Sequence, residues 1–105
     1  HNEGGSIATA IGYYLSKKKI PAVYLQNSGL GNTINPIASI ADKNVYSIPM
    51  LLIIGWRGCP IDKNTDEPQH KLKGYITKKI LDLLKIKNCI LNNEKNLKKL
   101  TKIIK

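Results

Sequence analysis

Three groups of residues in this chain have the types and spacing that chemistry needs. Glu3 stands just before Gly4 and Gly5, at the head of a segment with helical spacing. A carboxylate there suits the positive end of a helix dipole. Glycines are poor helix formers in a first turn, so their presence points to close approach of something to the backbone. The second group is the polar turn Gln26-Asn27-Ser28-Gly29-Leu30-Gly31-Asn32, which follows the apolar run Ala22-Val23-Tyr24-Leu25. Backbone N–H groups and small polar side chains beyond the carboxyl end of a strand are where parallel sheets bind ligands. The same turn also serves as a purely structural connection. The third group, Trp56, Arg57, Asp66, Glu67, Gln69 and His70, lies in the long stretch from Gly55 to His70. Loops of that length inside compact domains are functional or disordered. Trp, Arg and His suit a site better than a floppy linker, although His70 alone reads equally as a surface histidine near a helix start. Cys59 and Cys89 have neither Cys-x-x-Cys spacing nor a histidine cluster, which argues against zinc. Two free thiols in a reducing cytoplasm is the default reading.

The elements that must position these groups alternate. Asn2 is a candidate N-cap, and Ile7, Ala8, Ala10, Ile11, Tyr14 and Leu15 recur at helical spacing up to Lys17-Lys18-Lys19. The run 22–25 reads as a strand, followed after the turn by a helix with Ile34, Ile37, Ala38 and Ala41 on one face. Asp42 to Tyr46 is a loop. Ile48 to Ile54 is a continuous apolar run opened by Pro49 and ended by Gly55, the pattern of a strand buried on both faces. Leu72 to Leu84 predicts a helix, Asn88-Cys89-Ile90-Leu91 a short strand, and Asn92-Asn93 the cap of a last helix. That helix directs Leu97, Leu100, Ile103 and Ile104 toward the core. This order predicts an α/β fold, a three-layer α/β/α parallel sheet with right-handed crossovers. Such a fold normally opens with a strand, so a first strand and helix are expected to precede residue 1.

The chain has 105 residues, one domain or part of one, and a net charge of +10. The charge is uneven: residues 1–70 carry six Lys and Arg against five Asp and Glu, whereas residues 71–105 carry eleven Lys against two acidic residues. A nucleic-acid-binding surface is one reading of the basic third. The basic third has no Arg, and Tyr75 is its only aromatic. A nucleic-acid groove usually adds both, which favours solvated lysine-rich helix faces. No apolar run approaches the roughly 18 residues that cross a bilayer.

Asn2-Glu3-Gly4, Gln26-Asn27-Ser28-Gly29-Leu30-Gly31-Asn32, Gly55-Trp56-Arg57-Gly58 and Asp66-Glu67-Pro68-Gln69-His70, in that order, resemble the pyrimidine-binding domain of the phosphonopyruvate decarboxylases. These are thiamine-diphosphate enzymes of phosphonate biosynthesis. The resemblance runs from His1 to about Leu84, and the last twenty residues match only in pattern. The sulfopyruvate decarboxylase alpha chains share the second and third motifs. The fourth is, by resemblance, more typical of the phosphonopyruvate branch. The resemblance implies that residues 1–105 are part of one Rossmann-like domain. It implies that Glu3 hydrogen-bonds the pyrimidine ring nitrogen of thiamine diphosphate and favours the imino tautomer that activates the cofactor. Burial would raise the Glu3 pKa and let it share that proton. By the same resemblance Asn27, Ser28 and Gly29 line the pyrimidine pocket or the dimer seam. Gln69 and His70 face the substrate, His70 in proton transfer or anion binding. Arg57 contacts the substrate's anionic group or orders the long loop. The resemblance further implies Mg²⁺ held by a diphosphate-binding domain of the same or another chain, a homodimer or larger assembly, and a small 2-oxo acid as substrate. The present piece alone is expected to be inactive.

Overall fold

A computed structural model describes residues 2–63 and 65–104; His1, Asn64 and Lys105 lie outside the described residues. The chain opens on helix α1 (Glu3–Lys17). Asn2 starts it as expected: its backbone is extended and its Oδ1 accepts the Gly5 N–H at 2.8 Å. Lys18 ends the helix in the left-handed conformation and donates its N–H to the Tyr14 carbonyl at 2.7 Å. Ile7, Ala10 and Ile11, three and four residues apart, form the buried stripe. Ala8 and Leu15, expected on that stripe, are exposed.

Strand β1 (Ala22–Gln26) runs directly into a 3₁₀ stretch, Asn27–Thr33, one α-helical turn α2 (Ile34–Pro36) and a π-helical turn, Ile37–Ala41. A straight α-helix is not available here, because Pro36 lacks an N–H and its ring crowds the carbonyl four residues back. Of the expected apolar face Ile37 is buried and Ala41 half-buried, while Ile34 and Ala38 are exposed. Asp42 closes the segment with a side-chain turn, its Oδ1 accepting the Asn44 N–H at 2.8 Å.

Strand β2 (Leu51–Gly55) starts two residues after Pro49 and pairs with β1 in parallel, Ala22 opposite Leu51 through Gln26 opposite Gly55. Val23 and Leu25 on β1 point into the core, with Leu52 and Ile54 of β2 packed beside them. The core joins α1, β1 and helix α3 (Pro68–Leu83) through Ile7, Ile11, Val23, Leu25, Leu30 and Leu81. Ile7 and Leu30 are fully buried, and each such side chain contributes ~1.5–3 kcal/mol.

The parallel α/β architecture is the expected one, but three details differ. Among the described residues the sheet has two strands. Asn88–Leu91 forms no ladder: Asn88 instead bonds the Asp82 side chain at 3.0 Å and the Ile86 carbonyl at 2.9 Å. That seats the segment against the end of α3 rather than along a sheet edge. Second, β2 is not buried on both faces. Tyr24 is 77% exposed and its partner Ile53 46%, because no described element covers that side. Third, helix α4 (Leu97–Ile104) is capped by Asn93 through a short 3₁₀ turn, as expected of the Asn pair, but none of its residues is buried. The core on this side is closed by Leu81, with Leu84 and Ile86 packed against it, and of the α4 stripe Leu100 and Ile103 are half-buried while Leu97 and Ile104 are exposed.

Candidate active site

The residues singled out in the sequence gather in two clusters beyond the carboxyl ends of β1 and β2. The first is built where α1 begins. Glu3 is the first residue of α1, and its carboxylate accepts a hydrogen bond from Asn32 Nδ2 at 3.1 Å. A Cβ on Gly29 would fall inside the Glu3 carboxyl group, and a Cβ on Gly4 would lie 2.8 Å from the Asn32 carbonyl oxygen. Both glycines are therefore required for the start of α1 to lie against the turn. The arrangement is a half-buried carboxylate in a niche that any side chain at position 29 would fill. Its own backbone N–H, then the Asn32 amide, hold the Glu3 carboxyl below the ordinary carboxylate range, and Lys73 adds to this. Partial burial acts the other way and is outweighed. The raised pKa expected for Glu3 is thus not what this chain produces: too little apolar cover surrounds the carboxyl.

Ser28 donates its hydroxyl to Gln26 Oε1 at 2.9 Å, and its carbonyl accepts from Lys73 Nζ at 3.3 Å. Asn27 is used differently. It is buried, and its amide donates to the Arg57 carbonyl and to Thr77 Oγ1, both at 2.9 Å, while its Oδ1 accepts the Arg57 N–H at 3.0 Å. Both donors and an acceptor of Asn27 are committed to tying the turn after β1 to the turn after β2 and to α3. Its side chain is a brace for the pocket wall rather than a ligand-facing group. Replacing Asn27 with Ala would leave the Arg57 backbone and the Thr77 hydroxyl without that partner. Buried groups so orphaned cost ~1–3 kcal/mol. A urea titration of the variant is expected to show a loss of about 2 kcal/mol or more, and an unchanged midpoint would remove the brace role.

The second cluster centres on Asp66. Its carboxylate accepts Arg57 Nε at 3.0 Å and Nη2 at 2.7 Å, the backbone N–H groups of Gly58 and Glu67 at 2.7 Å each, and faces His70 Nδ1 at 2.9 Å. The Arg57 guanidinium first, then His70, hold Asp66 well below the usual carboxylate range, and Asp66 in turn raises Arg57. Arg57 therefore orders the long loop, one of its two expected roles, and its side chain remains 46% exposed. His70 lies in the first turn of α3, which begins four residues earlier than the apolar pattern indicated. Pro68 at the start of that helix was the available signal. Gln69 is exposed on the same turn. The turn after β2 rests directly on α3: Trp56 Nε1 donates to the Gly74 carbonyl at 2.8 Å. A Cβ on Gly74 would strike the Gly58 carbonyl. Gly58 has φ +65°, and a Cβ there would meet the His70 carbonyl.

Sequence reasoning placed Glu3, Ser28 and Gly29 together and Arg57 with His70. It missed Lys73, Gly74 and Thr77, which carry no motif of their own, gave Asn32 no role within its motif, and did not single out Asp66 as the centre. The spacing of Asp66 four residues before His70, across a helix start, was the signal for that pair. Among the described residues no group of three or more His, Cys, Asp or Glu could hold a metal ion. No described helix is long and apolar enough to cross a membrane. Cys59 and Cys89 are free.

Beyond the carboxyl ends of its strands is where a parallel α/β unit binds ligands. The family model described as thiamine pyrophosphate enzyme, N-terminal TPP binding domain, matches residues 1–83, and the chain belongs to that family. It is similar to the phosphonopyruvate decarboxylase of Streptomyces viridochromogenes, 44% identical over 81 residues, which are 77% of this chain and 19% of that protein. It is also similar to the sulfopyruvate decarboxylase subunit alpha of Methanococcus maripaludis, 40% identical over 84 residues, 80% of this chain and 47% of that subunit. The chain thus spans about a fifth of the first relative and less than half of the second. No solved structure matches it.

Proposed function

We propose that this chain is the pyrimidine-binding part of a thiamine-diphosphate-dependent 2-oxo acid decarboxylase that converts phosphonopyruvate to phosphonoacetaldehyde and CO₂. The observation that carries the reading is the Glu3 carboxylate held at the head of α1 against Gly29, in a niche a Cβ would fill. The donor set fits the group, since a carboxyl is what a weakly basic ring nitrogen needs as a proton-sharing partner. Bound thiamine diphosphate supplies the carbanion-stabilising centre at which a 2-oxo acid loses CO₂.

The rest is the work of this chain's residues. Glu3 Oε holds or shares the proton at the pyrimidine ring nitrogen. Its carboxyl lies low in this chain by itself, so the desolvation that lifts it comes from a covering domain, the diphosphate-binding partner in the same or another chain. Mg²⁺ belongs to that partner, in an assembly that is a homodimer or larger and works in the cytoplasm. Gly29 keeps the niche open, and Ser28 with Lys73 closes its rim. His70 would serve proton transfer or anion binding, and the exposed part of Arg57 together with Gln69 would meet the anionic end of the substrate.

The motif Asp66-Glu67-Pro68-Gln69-His70 supports phosphonopyruvate as the substrate. Sulfopyruvate is the second reading, supported by the similarity to the alpha subunits. The deciding experiment measures CO₂ release from each substrate by the full-length protein, with and without thiamine diphosphate and Mg²⁺. Cofactor-dependent release from phosphonopyruvate is expected. Release from sulfopyruvate alone moves the protein to the second reading, and release from neither refutes both.

A further inference from the structure

We infer that Asp66 is a positioning residue that fixes His70 as the Nδ1-protonated tautomer, so that the ring presents an unprotonated Nε2 to the site. This deepens the decarboxylase reading and rests on it. An ionised carboxylate only accepts hydrogen bonds, so the contact of 2.9 Å to His70 Nδ1 requires the proton on that nitrogen. The carboxylate cannot easily turn away or take up a proton itself. Arg57 grips it through Nε and Nη2, and the N–H groups of Gly58 and Glu67 donate to it.

The brace continues beyond Asp66. The Arg57 backbone is bonded on both its N–H and its carbonyl to the Asn27 side chain at the end of β1. The His70 end is held as well: its backbone N–H donates to the Glu67 carbonyl at 2.9 Å, and Gly58 lies against its carbonyl. A chain of contacts thus runs from the end of β1 through Arg57 and Asp66 to the imidazole. The His70 side chain is only 16% exposed, and among the described residues Nε2 has no hydrogen-bond partner.

The chemical use follows from the tautomer. A neutral imidazole with its proton on Nδ1 is an acceptor at Nε2. A proton taken there from a substrate-side hydroxyl or water leaves an imidazolium facing the Asp66 carboxylate. Return of the same proton restores the starting state, so the pair moves one proton with no net change. An orienting carboxylate plays the same part behind the histidine of serine hydrolases.

The test reads the tautomer directly. The full-length protein is labelled with ¹⁵N-histidine, and long-range ¹H–¹⁵N correlation spectra are taken at a pH where the ring is neutral, without substrate. His70→Gln identifies the His70 signals. The wild type is expected to show a protonated Nδ1 and an unprotonated Nε2. Asp66→Asn is expected to lose that preference and to lower kcat about tenfold or more. A wild-type His70 protonated on Nε2, or an even mixture, overturns the proposal even if the variant fails to fold. So does an Asp66→Asn enzyme that has lost the preference yet turns over at the wild-type rate. Failure of the decarboxylase reading shows in the CO₂ assay and leaves the tautomer measurement untouched.

Discussion

Glu3→Gln in the full-length protein is expected to lower cofactor-dependent CO₂ release by about 100-fold or more while leaving the fold intact. General acid–base groups contribute roughly 10²–10⁴-fold, and the substitution removes only the ionisable proton site. Gln has the same shape, and its Oε1 still accepts the Asn32 Nδ2 hydrogen bond that Glu3 accepts at 3.1 Å. Glu3 is also half-exposed in this chain, so its packing contribution is small. The prediction is therefore a split between kcat and stability: a large fall in turnover beside a thermal midpoint within a degree or two of wild type. A variant with turnover within threefold of wild type would remove Glu3 from the chemistry. A variant that loses turnover because it unfolds would show it in the thermal midpoint.

Gly74→Ala is expected to destabilise the fold, and the sign opposes the usual rule. Ala in place of Gly inside a helix normally stabilises by about 1 kcal/mol. At position 74 the added Cβ would strike the Gly58 carbonyl, a backbone group that cannot rotate away. Overpacking of that kind typically costs ~1–3 kcal/mol, and more where backbone must move. Steric cost wins, so a net loss of about 2 kcal/mol or more is expected in urea unfolding. The damage is also directional. Separating α3 from the turn after β2 lengthens the Trp56 Nε1 bond to the Gly74 carbonyl. It also pulls Arg57 and Asp66 away from His70, so turnover should fall in the protein that remains folded. A Gly74→Ala variant that is more stable than wild type would contradict the close approach.

The local pieces follow from the order of residues alone. Asn2 and the spacing of Ile7, Ala10 and Ile11 predict α1 because capping and a 3.6-residue period are local properties. The apolar runs around Val23 and Leu52 predict two strands, and the residues between them make the pair parallel, since a helical crossover returns the chain to the same edge direction. The ordered motifs identify the family on their own, and residues 1–83 match its model. The apolar pattern failed where an element's fate depends on a neighbour. Asn88–Leu91 has strand-like residues, but a strand exists only if an edge accepts its hydrogen bonds, and Asp82 and Ile86 hold Asn88 elsewhere. The stripe on α4 is regular, but burial needs an unfilled apolar face, and Leu100 and Ile103 reach only half-burial while Leu97 and Ile104 stay exposed.

The uses of the polar groups depend on how the elements pack in three dimensions. Asn27 and Ser28 are adjacent in the same turn, yet Asn27 is spent inward on Arg57 and Thr77 while Ser28 stays at the rim. Glu3 reads as a helix-start carboxylate from sequence, and only the fold shows Gly29 leaving it space, with its own backbone N–H and then the Asn32 amide lowering its pKa. Arg57 and His70, thirteen residues apart, are joined through one carboxylate, Asp66. Hydrogen bonds and ion pairs depend on positions to within a few tenths of an ångström. Such positions are set by how glycine-lined backbones pack against one another, which no periodicity in a chain of letters records.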